Sequence, residues 1–389
     1  MKVGILSMQR VYNYGSLLQA YALKKTIENM GYECGFMDIK KGVQLGCHAQ
    51  AKNTLQNGIV HWRLQKLKNQ GIKAFLGYFH RKIYRRKFKS VFFNLLGLPK
   101  NIDSDGFFDI VIIGSDEVFN FAQKTWWGYS EQLFGGGINA RKIFTYAASF
   151  GWTRMEDILS NGLTEQITKA LNNISCFSVR DENSEKIIKR LTGKTACLNT
   201  DPTLIYDFHK EISDKCILKN YIVLYSYAGR TDSKNEIKVI RKFAKTHQKK
   251  LLSVGYYHFW CDKNIIPDPF DVLNYFIHAD YIITDTFHGT VFSIKFHKRF
   301  CTIIRDTNEE KLSHLLKHFN LSNRIATSVD QIPEILQSPI DFIETEDMIL
   351  KEKENALNYL KTCLKSMKNQ SDQTPQNNAE SYLSLIKGL

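Results

Sequence analysis

The sequence predicts an α/β protein with two doubly wound, Rossmann-like parallel-sheet domains and a C-terminal helix. Two observations support this fold class. Short apolar runs rich in β-branched residues alternate with stretches whose apolar residues recur at helical spacing, and the alternation occurs in two separate series. The chain has 389 residues, 43% of them hydrophobic, which is enough to bury two ordinary cores.

The first series begins at the N-terminus. Lys2 to Met8 predicts a strand, residues 16–30 a helix, and residues 34–39 a second strand. Further buried strands are predicted in FFDIVIIG, KIFTYAASFG and ISCFSVR, the last leading into a helix. We assign residues 1–210 to an N-terminal α/β domain with a basic helical insertion at about 42–100.

The second series follows the segment DPTLIY. Its predicted strands are 221–228, 251–257, 281–284 and 300–304, and its predicted helices are 234–247, 269–279 and 289–297. We assign residues 211–335 to a C-terminal α/β domain and 336–389 to a helical tail, in which the polar stretch 369–379 is expected to be mobile. Two such domains facing a common cleft are typical of glycosyltransferase-B-like proteins.

One segment carries the whole excess of positive charge. The chain has 53 basic and 39 acidic residues, and 14 of the basic ones lie between Ile39 and Ile102, where no acidic residue occurs. Aromatic residues interleave with these cations, as in a basic amphipathic helix pair. Such a pair suits an anionic membrane surface, a phosphorylated substrate or a solvated face over a core. Nucleic acid is disfavoured because no RNP, zinc-finger or helix-turn-helix signature is present.

The sequence also bears on localisation. The longest uncharged apolar runs fall far short of the roughly 20 residues that span a bilayer. The first residues lack the apolar region and cleavage site of a signal peptide. We therefore expect a cytoplasmic protein, peripheral at the inner membrane face if the basic segment contacts lipid. Eight cysteines without a CxxC pair disfavour a zinc site or a disulfide framework.

Candidate site residues follow the predicted strands, because ligands of open parallel sheets bind beyond the carboxyl ends of the strands. Asn13, Gly15 and Ser16 open the first helix, whose N-terminal N–H groups attract phosphate or carboxylate. Ser115 and Asp116 follow the third strand. Asp116 is suited either to accepting a proton from a hydroxyl or to capping the next turn.

A third candidate, Arg180, ends the strand in SVRDENS. Its planar guanidinium suits a carboxylate or phosphate of a ligand. The alternative is an internal ion pair with Asp181 or Glu182.

The fourth segment, YIITDTFHG, places His288 where a strand passes into a helix, between Thr286 and Gly289. Gly289 lets the backbone turn, and the helix N-terminus then faces the same cleft. We expect His288 to be half exposed and to transfer protons near neutral pH.

Six segments together resemble the polysaccharide pyruvyl transferase family: VGILSMQRVYNYGSLLQAYAL, FDIVIIGSDEVFN, SFG, SVRDEN, DPTL and DTFHGTVFSIKFHKRF. The resemblance covers about residues 1–325 without the basic insertion. It implies a two-domain, glycosyltransferase-B-like enzyme that moves the enolpyruvyl group of phosphoenolpyruvate onto a sugar, usually as a ketal, in surface polysaccharide assembly. It implies no metal and no cofactor, with phosphoenolpyruvate as the donor substrate.

Family positions carry over to individual residues. The resemblance places the family's histidine on His288 and its arginine on Arg180. In such a reaction His288 would supply the proton to the donor, Arg180 would hold the donor's carboxylate or phosphate, and Asp116 would orient or deprotonate the acceptor hydroxyl. Several members have an arginine two residues before the histidine, where this sequence has Thr286. Arg180, the helix end at Gly15 or a cation of the basic segment would have to replace it.

Two alternatives remain open: a glycosyltransferase that uses a nucleotide sugar, and a non-catalytic relative that has lost the donor-binding arginine. No acidic residue occurs between Asp285 and Asp306, where a nucleotide-sugar enzyme usually places a ribose-binding carboxylate. The predicted helix there carries Lys295, Lys298 and Arg299 instead, which favours a small, highly charged donor. The acceptor is expected to be a saccharide, lipid-linked if the basic segment contacts a membrane.

Overall fold

The computed structural model describes residues 1–45, 56–98, 105–213, 218–305 and 308–365. The strands are β1 (Lys2–Leu6), β2 (Glu33–Phe36), β3 (Phe108–Asp116), β4 (Ala140–Ala148), β5 (Phe177–Val179), β6 (Ala196–Leu198), β7 (Tyr221–Tyr225), β8 (Lys250–Val254), β9 (Lys263–Ile265), β10 (Tyr281–Thr284), β11 (Phe300–Ile303) and β12 (Ile325–Ala326). The α-helices are α1 (Tyr14–Asn29), α2 (Gln56–Lys87), α3 (Phe93–Leu95), α4 (Met155–Ser160), α5 (Thr164–Leu171), α6 (Glu182–Thr192), α7 (Pro202–Ile205), α8 (Lys234–Thr246), α9 (Pro269–Ile277), α10 (Phe287–Lys295), α11 (Glu309–His318), α12 (Ile332–Gln337) and α13 (Ile343–Lys365).

Two six-stranded sheets confirm the predicted fold class. Their strand orders are β2-β1-β3-β4-β5-β6 and β12-β11-β10-β7-β8-β9, and neighbouring strands are parallel throughout. In the first sheet, β2 lies on one side of β1 and β3 lies on the other, so the strand order switches between β1 and β3. In the second sheet, β8 and β10 lie on opposite sides of β7, so the order switches between β7 and β10. Ligands of doubly wound sheets bind at such switch points.

The strands that sequence analysis missed are β6, β9 and β12. They contain two or three residues each and lie at sheet edges. Short edge strands leave no periodic signal, and short edges also limit unwanted pairing with other chains. β3 differs in another way, because it continues through Gly114 to Asp116 instead of ending at the glycine.

The C-terminal helix α13 returns to the N-terminal sheet. Ala356, Leu360 and Leu364 are buried against a cluster that includes Val3 and Ile110. The helix of the C-terminal tail therefore packs on the N-terminal sheet. The stretch 369–379 lies outside the described residues.

The basic insertion forms α2, which is interrupted at Gly71, where φ is 46°. Its last part continues into a π-helical turn, Phe88–Phe92, and α3. Tyr84 of α2 contacts Tyr14 of the N-terminal domain and Tyr256 of the C-terminal domain. The insertion therefore joins the two domains. Within the described ranges, every helix is too short or too polar to cross a bilayer.

Candidate functional site

A cleft between the domains lies where the two switch points face each other. The loops after β1 and β3 form one wall, and the loops after β7, β10 and β11 form the other. The lining residues are Met8, Val11, Asn13, Ser16, Asp116, Glu117, Gln123, Trp152, Tyr227, Arg230, Asp285, Thr286, Phe287, His288, Asn308 and Lys311. Of the predicted site residues, the cleft thus brings together Asn13, Ser16, Asp116, Thr286 and His288.

His288 is the second residue of α10 and lines the cleft, but only 6% of it is exposed. The expectation that it is half exposed is therefore wrong. The N-terminal domain covers the ring, since a Cβ built on Gly15 would lie 2.3 Å from Nδ1 of His288. Glycine at this position lets α1 approach the imidazole closely.

Asp201 holds the other side of the imidazole. Its Oδ2 lies 3.3 Å from Nε2 of His288, and its Oδ1 caps α7 by accepting the backbone N–H of Thr203. Burial alone would raise the pKa of Asp201. The charges of His288 and Arg180, together with the hydrogen bonds from Thr203, outweigh burial and hold this pKa well below its ordinary value. Asp201 is therefore a buried anion behind the ring.

Arg180 is buried behind the cleft and is not among its lining residues. Its guanidinium lies 3.2 Å from Asp201, 3.5 Å from Asp116 and 4.0 Å from the ring centre of Phe287. The alternative partner Asp181 instead caps α6 by accepting the backbone N–H of Ser184. A ligand would have to compete with two carboxylates for Arg180, so its contact with the donor stays a prediction.

Asp116 reaches the cleft from an unusual backbone conformation. Its φ is 79°, a left-handed value that costs a non-glycine residue about 1–3 kcal/mol. Its Oδ2 accepts a hydrogen bond of 2.8 Å from Ser16 Oγ. Ser115 points away from the cleft, because it is fully buried and donates to Gln19 Oε1 at 2.7 Å. Ser115 therefore supports the loop and does not face a ligand.

The first turn of α1 is already capped. Asn13 Oδ1 accepts the backbone N–H groups of Gly15 and Ser16, the groups expected to attract an anion. The Asn13 amide also donates to the Tyr227 hydroxyl of the opposite wall at 3.0 Å. In this structure, the start of α1 contacts the other domain and positions His288.

The first turn of α10 is built in the same way. Thr286 Oγ1 accepts the backbone N–H of Gly289 at 3.0 Å. A Cβ on Gly289 would lie 2.2 Å from Thr284 Oγ1, so glycine permits this close packing. Thr286 and Gly289 therefore orient the helix that presents His288.

Gly15→Ala tests the contact between α1 and the imidazole. The added methyl group overlaps the ring at 2.3 Å, so we expect the ring to move. A displacement of about 1 Å at a catalytic group can lower kcat about 100-fold, and we expect a loss of roughly that size in transfer. The control Gly35→Ala should leave transfer unchanged, because its backbone is not left-handed and the nearest atom to its added Cβ, in the ring of Phe108, lies at an ordinary 3.8 Å. Full activity of the Gly15 variant would show that the ring needs no such contact.

Sequence analysis missed Asp285 as a site residue. Its side chain is fully buried, and neither carboxylate oxygen has a well-formed hydrogen bond. Arg230 lies 3.8 Å away and Arg305 3.7 Å away. Burial raises the pKa of Asp285, and the two guanidinium groups offset this only partly. Besides Asp116 and Glu117, the cleft therefore contains a third carboxylate, and its environment differs from that of Asp116.

Two further cations line the cleft. The guanidinium of Arg230, in the loop after β7, stacks 5.1 Å from the ring centre of Tyr227. Lys311 of α11 pairs with Glu117. Both residues follow strand ends, where ligands of parallel sheets bind, so the reasoning that identified His288 applies to them as well. They were missed because their loops contain no recognisable motif.

The cations Lys295, Lys298 and Arg299 do not line the cleft. Lys295 donates to the carbonyl oxygens of Leu204 and Tyr206, and burial lowers the pKa of Lys295 to about 8. Lys298 donates to another backbone carbonyl. These cations therefore give no support to the prediction of a charged donor, because Lys295 is the last residue of α10 and Lys298 and Arg299 follow it, at the opposite end from His288.

Comparison with known sequences gives one family match. The sequence profile of the family described as polysaccharide pyruvyl transferase matches residues 13–307, most of the chain. No curated protein is similar enough in sequence to count as a match.

Several solved structures can be superposed on this chain over most of its length. S. aureus MnaA with UDP is 12% identical, with coverage of 97% of this chain and 100% of that chain and a TM-score of 0.48. UDP-GlcNAc 2-epimerase from Neisseria meningitidis bound to UDP-GlcNAc is 11% identical, with coverage of 94% and 99% and a TM-score of 0.46. The glycosyltransferase SnogD from Streptomyces nogalater is 12% identical, with coverage of 91% and 94% and a TM-score of 0.44. Similarity at this level says nothing about the ligand or reaction of the present chain.

Proposed function

The chain belongs to the polysaccharide pyruvyl transferase family, and on that premise we propose that it transfers the enolpyruvyl group of phosphoenolpyruvate to a sugar and closes it to a pyruvate ketal. One observation carries the proposal. His288 lies in a cleft at the switch points of both sheets, fixed between the buried carboxylate of Asp201 and the start of α1. A histidine held in this way suits proton transfer to a small ligand.

The proposed reaction has a balanced course. A proton adds to the methylene carbon of phosphoenolpyruvate, which becomes a methyl group and leaves the neighbouring carbon electron-poor. A sugar hydroxyl attacks that carbon and loses its proton, and the carbon–oxygen bond to phosphate breaks. A second hydroxyl then closes the ketal. The products are the pyruvylated sugar and phosphate, and the chemistry calls for no metal or organic cofactor.

We assign the first proton to His288. Its Nε2 faces Asp201, so we assign the proton to Nδ1, which lies beside the first turn of α1 at Gly15. The anion of Asp201 would stabilise the positive charge on the protonated ring, as a carboxylate does behind other catalytic histidines. Arg180, which also contacts Asp201, would keep this carboxylate in place.

This chain has Thr286 where several family members have an arginine. Other cations would therefore have to bind the negatively charged groups of the donor. Arg230 and Lys311 line the cleft on the same wall as His288. The side chain of Arg230 is one-third exposed and lies beside the aromatic ring of Tyr227, which keeps its planar face in position. We assign the donor's phosphate or carboxylate to Arg230, with Lys311 as a second positive charge.

Arg230→Ala is expected to raise the KM for phosphoenolpyruvate about 10- to 100-fold, because a hydrogen bond to a charged group contributes about 1.5–3 kcal/mol. The effect on kcat should be smaller, since Arg230 is assigned to binding the donor and not to transferring its proton. Steady-state kinetics with varied donor measures both constants. Arg230→Lys keeps the charge but loses the fork, so an intermediate KM is expected. An unchanged KM in both variants would remove Arg230 from the donor site.

The acceptor side is assigned to Asp116. Its carboxylate lines the cleft and would orient or deprotonate the attacking hydroxyl. We propose that the acceptor is a saccharide carried on a lipid, that the protein acts in the cytoplasm at the inner membrane face, and that the basic segment provides the membrane contact.

Product analysis tests the proposed reaction. The protein is incubated with phosphoenolpyruvate labelled with ¹³C at its methylene carbon and with a panel of soluble and lipid-linked saccharides. The expected result is a ¹³C methyl resonance typical of a pyruvate ketal, appearing together with stoichiometric phosphate. Phosphate release without any labelled saccharide would contradict transfer, as would consumption of a nucleotide sugar in place of the labelled donor.

A further inference from the structure

The helix α2 presents an apolar stripe to solvent. Phe75, Leu76, Phe79 and Ile83 are 54%, 49%, 43% and 51% exposed. Phe75, Phe79 and Ile83 recur every four residues and so share one face of the helix. The rings of Phe75 and Phe79 are 4.6 Å apart, so they form one continuous surface. Exposed apolar groups clustered in this way mark an interaction site more often than scattered ones do.

The outward direction of the stripe is fixed by packing on the other side of the helix. His80 contacts Tyr257, and a Cβ on Gly77 would lie 3.1 Å from the same ring. Tyr84 and Phe88 are buried and contact Tyr14 of the N-terminal domain. The stripe therefore cannot turn inward without breaking the contact between the domains.

Positively charged residues lie beside the stripe. Lys82, Arg86 and Lys89 are exposed and recur at spacings of four and three residues, so they form a line along one side of the helix. Arg81 and Arg85 are exposed as well. No acidic residue occurs between Ile39 and Ile102. The charged side chains that α2 itself contributes around the stripe are therefore all positive, and Lys87 on another side of the helix pairs with Asp268.

The side of α2 opposite the stripe leads to the cleft. Tyr227 of the cleft wall lies 5.3 Å from Tyr256, whose ring is 5.6 Å from that of Tyr84 in α2. A molecule bound at the stripe would thus be separated from the cleft wall by α2 itself and by the rings of Tyr84 and Tyr256.

We propose that this face of α2 binds the surface of an anionic phospholipid bilayer. Phe75, Leu76, Phe79 and Ile83 enter the headgroup region, and Lys82, Arg86 and Lys89 contact lipid phosphates. This inference rests on the proposed function in one respect only: binding to the bilayer would bring the cleft to a lipid-linked acceptor.

Charge complementarity favours this occupant over a second copy of the chain. In a two-fold symmetric dimer built on this face, the same cations of both copies would oppose one another. Nucleic acid would match the charge but would leave the apolar stripe without a partner. A bilayer with anionic lipid satisfies both parts of the surface.

Vesicle sedimentation tests the proposal with the full chain. Binding to vesicles of phosphatidylcholine with about 30% phosphatidylserine is expected, with much weaker binding to phosphatidylcholine alone and weaker binding in high salt. Each Lys or Arg near an anionic surface contributes about fivefold to affinity, so K82E/R86E/K89E should weaken binding about 100-fold or more. F75S/F79S/I83S should also weaken it.

Helix α8 offers a matched control. Lys238, Lys242 and Lys245 are exposed at the same spacings, so K238E/K242E/K245E changes the net charge equally. Binding reduced equally by this triple change would overturn the proposal, and so would binding that ignores anionic lipid and salt. A different outcome would assign the face to another partner. The wild type would then fail to bind vesicles but would dimerise or bind an oligonucleotide, and both α2 variants would lose that interaction. Vesicle binding without any pyruvyl transfer would support the proposal and reject only the proposed function.

Discussion

His288→Ala is expected to lower kcat for pyruvyl transfer by about 10²–10⁴-fold, the contribution typical of general acid catalysis. The fold should be retained. Asp201, the nearest carboxylate, keeps Arg180 and the backbone N–H of Thr203 as partners when the ring is removed. Phosphate release measured with donor and acceptor reports kcat, and thermal unfolding reports the fold.

His288→Gln separates proton transfer from positioning, because an amide can hydrogen-bond to Asp201 but cannot act as an acid near neutral pH. Its kcat should be as low as that of the alanine variant, while donor binding is better preserved. Turnover at the wild-type rate by either one would remove His288 from the chemistry.

Asp201→Asn should have the second largest effect. Arg180 is buried between Asp201 and Asp116, and removal of one partner of a buried ion pair costs about 3–5 kcal/mol in the free energy of unfolding. Transfer should fall as well, because the imidazole loses the anion behind it. Urea unfolding and the transfer assay measure the two effects.

The stability deficit of this variant depends on pH in a defined direction. The partners of the Asp201 carboxylate outweigh the effect of burial and leave its pKa below the ordinary 3.8. The carboxylate therefore stabilises the fold above that ordinary value and loses its contribution as the pH falls through the lowered pKa. The deficit of Asp201→Asn should therefore shrink as the pH falls below the ordinary carboxyl pKa.

Asp232 provides the control for Asp201. Its Oδ1 lies 3.1 Å from Nδ1 of His258, a second pair of histidine and aspartate, and neither residue lines the cleft. Asp232→Asn should leave transfer unchanged. If both variants lost transfer equally, the effect of Asp201 would be a general loss of stability. A deficit at Asp201 that persisted undiminished in acid would contradict the ion pair.

The fold was largely predictable because parallel strands buried on both faces form continuous apolar runs. β10 begins and ends at the predicted residues, whereas β6, β9 and β12 are edge strands too short to give a pattern. The rule that ligands bind beyond strand ends correctly brought Asn13, Asp116 and His288 to one cleft.

Contacts between the domains limited the prediction of the site. Nothing in the local sequence of His288 indicates that Gly15 covers its ring, so its exposure was overestimated. Arg180 sits among several acidic residues in sequence, and only the fold selects Asp116 and Asp201 as its partners. The cations at the end of α10 were misplaced for a geometric reason. A helix of nine residues is about 13 Å long, so its two ends face different surroundings.

Isothermal titration of phosphoenolpyruvate and of UDP-N-acetylglucosamine into the wild-type protein and the Arg230→Ala variant tests most directly whether the cleft receives a compact anion. We expect the wild type to bind phosphoenolpyruvate in competition with inorganic phosphate, the variant to bind it more weakly, and neither to bind the nucleotide sugar. Binding of the nucleotide sugar without phosphoenolpyruvate would indicate a glycosyltransferase, and binding of neither ligand would indicate a relative that has lost catalysis.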